Sequence, residues 1–196
     1  MSTKSKRIGV LLTRGQPFHK GHMEIIKKAA TENDDVIVII GSANKFKSER
    51  NPLNINQRIN LISRLINHLK LNNVLYMTLC DWSSDSDIPY DSENSKNTDY
   101  ESVSGEWGMY LYYNIVNNIH QKSFTLYYND DHEVLDCWFP GFIRKRIHVE
   151  STPRISEYSS TKVRKACFDN NMTYLKDALP YLTENEINCL REEITL

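Results

Sequence analysis

Asp35-Val36-Ile37-Val38-Ile39-Ile40-Gly41 is an apolar run with no polar alternation. A strand that is apolar on both faces needs cover on both faces, the condition of a parallel sheet flanked by helices. Upstream, Arg7-Ile8-Gly9-Val10-Leu11-Leu12 reads as a second short buried strand, and Met23 to Ala30 as a helix with one apolar side. Strand, helix and strand within about 35 residues make a βαβ unit with a right-handed crossover.

The remainder continues the alternation. Asn54 is placed to cap a helix to about Leu69, with Ile55, Ile59, Ile62, Leu65, Ile66 and Leu69 as its stripe. Asn73 to Leu79 reads as a third strand, Trp107 to Ile119 as a helix with Trp107, Leu111, Ile115 and Val116 inward, and Ser123 to Tyr128 as a fourth strand. A short helix is expected from Asp130 through Trp138, ended by Pro140-Gly141, then a fifth strand from Lys145 to Glu150. The last 25 residues or so read as a helix to about Leu179, a break at Pro180, and a helix capped by Thr183 with Glu186 at the capping-box position. The expected class is α/β, a doubly wound five-stranded parallel sheet with C-terminal helices at about 172–194, in a single domain over 1–196.

Asp81 to Glu106 departs from this rhythm, with eight acids against one lysine, Lys96. It reads as a long polar surface loop, an acidic insertion centred on about 83–104 that serves as a lid or as a tolerated insertion. The 196 residues carry 40% hydrophobic and 25% charged residues and a net charge of −1, which gives no support to bulk nucleic-acid or membrane-surface binding. No apolar run reaches the roughly 18 residues of a membrane span, and the N-terminus lacks the apolar core of a leader. Cys80, Cys137, Cys167 and Cys189 are far apart with no C-x-x-C, so they read as reduced thiols and the expected setting is cytoplasmic.

Chemistry concentrates where the first strand meets the first helix, at Thr13-Arg14-Gly15-Gln16-Pro17-Phe18-His19-Lys20-Gly21-His22. A helix start presents unpaired N–H groups and the positive end of a dipole, and both favour an anion. An arginine and two histidines three apart add cationic donors; the alternative is two solvated histidines in a loop. Zinc is disfavoured, because no third ligand stands at an obvious spacing. The loop Ser42 to Pro52 leaves the same sheet edge and carries Lys45, Lys47 and Arg50, either as phosphate ligands or as solvated charges. A second anion site is read at Ser159-Ser160-Thr161-Lys162-Val163-Arg164-Lys165, where cations crowd a helix start whose dipole disfavours them unless an anion is bound; here too a capped surface helix is the plain alternative.

With these motifs in order, the chain closely resembles the nucleotidylyltransferase superfamily whose signature is H-x-G-H, here His19-Lys20-Gly21-His22. Within it, the chain is similar to nicotinamide-mononucleotide adenylyltransferases of the archaeal type, and closer still to the version fused to a Nudix domain in some bacteria and phages. The resemblance rests on Gln16 to His22, Ile40-Gly41-Ser42-Ala43 with Asn51-Pro52, Asp130-Asp131, Trp138-Phe139-Pro140, and Ser159 to Arg164, and covers roughly residues 7–170. No Nudix domain is expected within this sequence. Two departures stand beside Arg14: the family's glycine is Thr13 and its phenylalanine is Gly15. Thr13 is expected to crowd the nucleotide's approach, and Gly15 to loosen the turn.

The resemblance implies a Rossmann-like nucleotidylyltransferase fold and an enzyme that joins ATP to nicotinamide mononucleotide, giving NAD and pyrophosphate. By resemblance, His19, His22, Arg14 and Arg164 are catalytic. Arg14, Gly15, His19, His22, Arg50, Ser159, Ser160, Thr161 and Arg164 bind the ATP phosphates, and Ser42, Asp81 and Trp107 the mononucleotide. Trp107 is expected to stack on the nicotinamide ring or else to be a plain core residue. Mg²⁺ is expected with ATP, held by phosphates and water, with no protein ligand. The implied partners are ATP and nicotinamide mononucleotide, with no nucleic acid and no membrane, and a homo-oligomer is compatible. The rivals are a related transferase acting on phosphopantetheine or transferring cytidylyl groups, and a non-catalytic nucleotide sensor.

Overall fold

The structure is a computed structural model and describes residues 6–81, 98–129, 138–153, 155 and 157–195. In chain order the elements are β1 (Ile8–Thr13), α1 (Lys20–Glu32), β2 (Asp35–Ile40), α2 (Ile55–Leu69), β3 (Val74–Thr78), α3 (Thr98–Ile119), β4 (Phe124–Asn129), α4 (Gly141–Arg144), β5 (Ile147–Thr152), α5 (Ser160–Phe168), α6 (Met172–Ala178) and α7 (Glu184–Thr195). The five strands and flanking helices form the parallel α/β arrangement expected from the sequence. By packing the chain divides into two compact units, Met1–Cys80 with Arg154–Leu196, and Asp81–Pro153.

In the first unit β2 pairs with β1 on one side and β3 on the other, all parallel, with Val10 opposite Ile37 and Val38 opposite Tyr76. Val36, Val38, Ile39 and Ile40 of β2 are all buried, as an unalternating strand in a parallel sheet must be. Helix α1 buries Met23, Ile25, Ile26 and Ala29. Helix α2 is capped as expected by Asn54, with Gln57 answering back to the Asn54 N–H. Its buried face is Arg58, Leu61, Ile62, Leu65 and Ile66, rotated from the expected stripe: Ile55, Ile59 and Leu69 are only half-buried. An all-apolar stripe could not include an arginine, so the expected face was drawn on the wrong side of Arg58. Helix α7 carries the expected reciprocal cap between Thr183 and Glu186, and Glu186 also meets Arg64 of α2.

In the second unit β4 and β5 pair in parallel, with Phe124 opposite Ile147. Helix α3 buries Leu111, Tyr112 and Ile115, and Tyr112 donates its hydroxyl to the Lys122 carbonyl at 2.9 Å. A Cβ on Gly108 would lie 1.6 Å from the Trp138 carbonyl oxygen, so only glycine lets this helix approach so closely. One sequence expectation changes here. The stretch read as loop to Glu106 is helical from Thr98, because α3 continues N-terminally past its apolar residues into acids that suit a helix start. Trp138 is helical and Phe139 is not, as expected of a helix ended before Pro140-Gly141, and the same pair opens α4, with Ile143 N–H bonded to the Pro140 carbonyl at 2.8 Å; proline has no N–H to lose at a helix start. Most of the helix expected before it, with Asp130, Asp131 and Cys137, lies outside the described residues, as does most of the acidic insertion.

No helix among the described residues is long and apolar enough to cross a membrane.

Candidate functional site

The β1–α1 turn of the first unit is held by its carbonyl groups. Arg58 Nη1 donates to the Arg14 carbonyl at 3.0 Å, Arg164 Nη1 to Gln16 at 2.8 Å, Ser160 Oγ to Pro17 at 3.0 Å, and Tyr181 Oη to Phe18 at 3.0 Å. Four side chains from α2, α5 and the α6–α7 link thus take four carbonyls within five consecutive residues. A carbonyl facing a phosphate repels it. A turn whose carbonyls are held by protein donors turns its N–H groups and cations to the ligand instead. Tyr181 is buried, and burial raises its phenol pKa, so it stays a donor at all ordinary pH.

Gln16 fastens the next loop to this turn. Its side chain, 2% exposed, donates to the Leu53 carbonyl at 2.9 Å and accepts from the Leu53 N–H at 3.0 Å. Arg58, 0% exposed, also donates to Gly41 at 2.8 Å and Ser42 at 3.0 Å. One buried guanidinium therefore gathers the ends of β1 and β2, and guanidinium suits this because its donors diverge in a fixed plane. Ser42 is buried at φ 49°, a left-handed conformation that costs a non-glycine residue about 1–2 kcal/mol. In the same loop Asn51 Oδ1 is buried without a hydrogen-bond partner, an unfavourable state that a ligand N–H would relieve.

The two signature histidines cap α1. His19 is the N-cap residue, its Nδ1 accepting from the Gly21 N–H at 3.1 Å, and His22 Nδ1 accepts from the His19 N–H at 3.2 Å. Their rings lie 4.0 Å apart, and Phe18 meets His22 edge-on at 5.4 Å. Burial, and secondarily the neighbouring His19, holds His22 well below the usual imidazole pKa, so it is neutral at pH 7. The reading of two cationic histidines is corrected for His22: a ring that already accepts an N–H at Nδ1 has no room for a second proton there. Nδ1 accepts, so the neutral ring carries its proton on Nε2, which lies 2.8 Å from Thr13 Oγ1. Lys20, between the histidines, turns away to Asp177 at 2.9 Å and Tyr158 at 3.2 Å.

Gly15 does not loosen the turn. Its φ is +59°, and an added Cβ would come within 2.2 Å of the buried Phe18 ring. Thr13 is tied into the same turn: its hydroxyl oxygen accepts from the Gly15 N–H at 3.2 Å and lies 2.8 Å from His22 Nε2.

At α5, Ser159 Oγ accepts from the Lys162 N–H at 3.1 Å and Thr161 Oγ1 accepts from Arg164 Nη2 at 3.3 Å. With Ser160 on Pro17, all three hydroxyls serve the helix start and its join to the β1–α1 turn. Burial lowers the Arg164 pKa, Glu49 opposes the shift and Arg50 adds to it, which puts the Glu49–Arg50 loop within electrostatic reach of Arg164. Arg14 and Arg50 are exposed. Arg14, Gly15, Ser42, His19, His22, Arg50, Ser159, Ser160, Thr161 and Arg164 therefore all belong to the first unit. Trp107, half-buried with its ring 5.7 Å from Tyr110, and half-buried Asp81 belong to the second. Arg58, Gln16 and Tyr181 went unassigned in the sequence. The only signal for Arg58 was a charge at helical spacing from Leu61, Ile62 and Leu65.

A strand–turn–helix at the edge of a parallel sheet with arginines beside it is the arrangement of a nucleotidylyltransferase-type α/β fold. The profile of the family described as cytidylyltransferase-like matches residues 14–166, and the chain belongs to that family. It is 35% identical over 86 residues to a nicotinamide-nucleotide adenylyltransferase of Thermoplasma acidophilum (44% of this chain, 48% of that one). It is 42% identical over 62 residues to one of Methanococcus maripaludis (32% and 36%). The chain thus matches less than half the length of these curated relatives. In fold it is similar to a bifunctional NMN adenylyltransferase/ADP ribose pyrophosphatase of Francisella tularensis, solved with AMP and a manganese ion. That likeness has a TM-score of 0.68 and 17% identity, covering 97% of this chain and 52% of the other.

Proposed function

We propose that the chain transfers the adenylyl group of ATP to the 5′-phosphate of nicotinamide mononucleotide, giving NAD and pyrophosphate. The observation that carries this reading is the β1–α1 turn, whose carbonyls are occupied from behind. An adenylyltransferase must hold a triphosphate against a second phosphate, and such a turn offers donors without competing acceptors. The names of the curated relatives support this choice of substrates.

The attacking phosphate is largely ionised at neutral pH, so the reaction calls for no protein nucleophile and no strong base. One oxygen of the mononucleotide phosphate attacks the α-phosphorus in line, and the bond to the bridging oxygen breaks. Charge grows on the departing pyrophosphate. Arg14, Arg50 and Arg164 hold the β- and γ-phosphates and take up that charge, helped by the N–H groups of Gly15 and of the Ser159–Thr161 helix start. His19 and His22 stand at the α-phosphate. Trp107 stacks on the nicotinamide ring, with Ser42 and Asp81 on the mononucleotide side. A divalent cation, Mg²⁺ in the cell, accompanies ATP on its phosphate oxygens and water; the AMP and manganese of the Francisella neighbour support a nucleotide and a divalent cation in this fold. The residues placed on the ATP phosphates are neutral or cationic donors, fitted to phosphate oxygens more than to a metal. The proposed setting is cytoplasmic.

The test is a substrate panel. Purified protein with ATP or CTP, Mg²⁺, and nicotinamide mononucleotide, its nicotinic acid analogue or phosphopantetheine is followed by chromatography of the products. NAD from ATP and the amide supports the reading; a different coupled product, or nucleotide binding without turnover, removes it.

A further inference from the structure

Thr13 Oγ1 sits at the end of a directed hydrogen-bond chain. The His19 N–H donates to His22 Nδ1, which fixes the His22 proton on Nε2, and Nε2 lies 2.8 Å from Thr13 Oγ1. The Gly15 N–H reaches the same oxygen at 3.2 Å. A hydroxyl has two acceptor positions and one proton. Two N–H groups fill both acceptor positions, so the Thr13 proton has to point to a third partner. Donors on its oxygen also make that proton a stronger donor, by the polarisation that runs along hydrogen-bond chains. Thr13 ends β1, and both it and His22 are half-buried.

We infer that Thr13 is a further catalytic residue, its hydroxyl donating to a phosphoryl oxygen of the bound nucleotide, and that His22, besides its own place at the α-phosphate, fixes the direction of that hydroxyl. This rests on the adenylyl-transfer reading for the identity of the nucleotide, but not for the hydrogen-bond chain. No proton is transferred; the Thr13 O–H bonds to an oxygen of the reacting phosphate and strengthens as charge accumulates there.

The experiment compares wild type, T13S and T13V, the last nearly isosteric but lacking the hydroxyl. Melting curves confirm that each variant folds. With ATP and nicotinamide mononucleotide, T13V is expected to lower kcat about 10²-fold, the scale for losing one charge-stabilising donor, with the KM for the mononucleotide changed less than about twofold. T13S is expected to stay within about threefold of wild type. Independently of turnover, nitrogen-15 NMR is expected to show His22 neutral and protonated on Nε2 at pH 7. Calorimetry with AMP-PNP is expected to show binding weakened about tenfold or more in T13V but not in T13S. T13V with wild-type kcat and wild-type AMP-PNP affinity overturns the inference, as does a His22 ring protonated on Nδ1. If wild type forms no NAD, the substrate reading fails, and the NMR and AMP-PNP measurements still decide the role of Thr13.

Discussion

Arg164 Nη1 donates to the Gln16 carbonyl at 2.8 Å across 148 residues of sequence. The arginine that belongs to the second anion motif therefore also shapes the first. Its other terminal nitrogen bonds Thr161, and its charge feels both Glu49 and Arg50. One side chain links the β1–α1 turn, the loop after β2 and the start of α5, all of which the proposed triphosphate contacts.

Arg164→Lys keeps the charge but cannot bridge a carbonyl and a ligand with a planar fork. It is expected to lower kcat/KM for ATP at least about tenfold, and Arg164→Ala about 10² or more. Steady-state kinetics against ATP concentration checks this, and equal rates in the lysine variant would leave the arginine with charge alone.

Gln16→Glu replaces the amide donor that reaches the Leu53 carbonyl with a carboxylate oxygen. Two acceptors then face each other in a buried place, at a cost of about 2 kcal/mol in unfolding free energy at pH 8. Protonating the glutamate restores a donor, so its folded pKa is raised and the deficit shrinks as pH falls toward 5. Urea titrations at the two pH values measure it.

Arg58→Met leaves the carbonyls of Arg14, Gly41 and Ser42 without this partner. At about 1–3 kcal/mol per orphaned buried group, the loss is expected to reach about 3 kcal/mol or more, with ATP binding weakened as the loop ends drift apart. Denaturant unfolding and calorimetry give the two numbers.

His22 sets a pH limit on stability. Its folded pKa lies below its unfolded value near 6.5, so the unfolded chain binds the extra proton first. The stability tied to the neutral ring is complete above about pH 6.5 and falls as pH drops below it, by up to about 1.4 kcal/mol per pH unit. Asp177 and Glu186 are shifted below the ordinary carboxylate range, by bonds from Tyr158 and Lys20 and from Thr183, so their contribution fades only at more acidic pH. Unfolding free energies between pH 7 and 5 are expected to slope in wild type and to flatten in His22→Ala, which also loses about 10² in turnover.

Much of this fold was legible because it rests on period and punctuation. The unbroken Val36–Ile40 run announced a parallel sheet, Asn54 and Thr183 announced helix starts, and the glycine–histidine signature announced the turn. The site's supporting contacts were not legible, because they join residues distant in sequence: Tyr181 to Phe18 spans 163 positions and Ser160 to Pro17 spans 143. Nothing local marks a serine as a carbonyl's partner rather than a phosphate's. Arg58 was hidden for a related reason, since an arginine among isoleucines reads as surface until its carbonyl partners are seen. Gly15 was misread as slack because sequence shows a missing side chain but not the positive φ or the Phe18 ring that require its absence.

The central claim is adenylyl transfer, and phosphorus-31 NMR of the wild-type protein with ATP, Mg²⁺ and nicotinamide mononucleotide tests it most directly. The account predicts that the ATP resonances decline while the NAD diphosphate and pyrophosphate signals rise together in equal amounts, with no ADP. A spectrum in which ATP stays intact beside bound mononucleotide, or decays to ADP and phosphate, contradicts it.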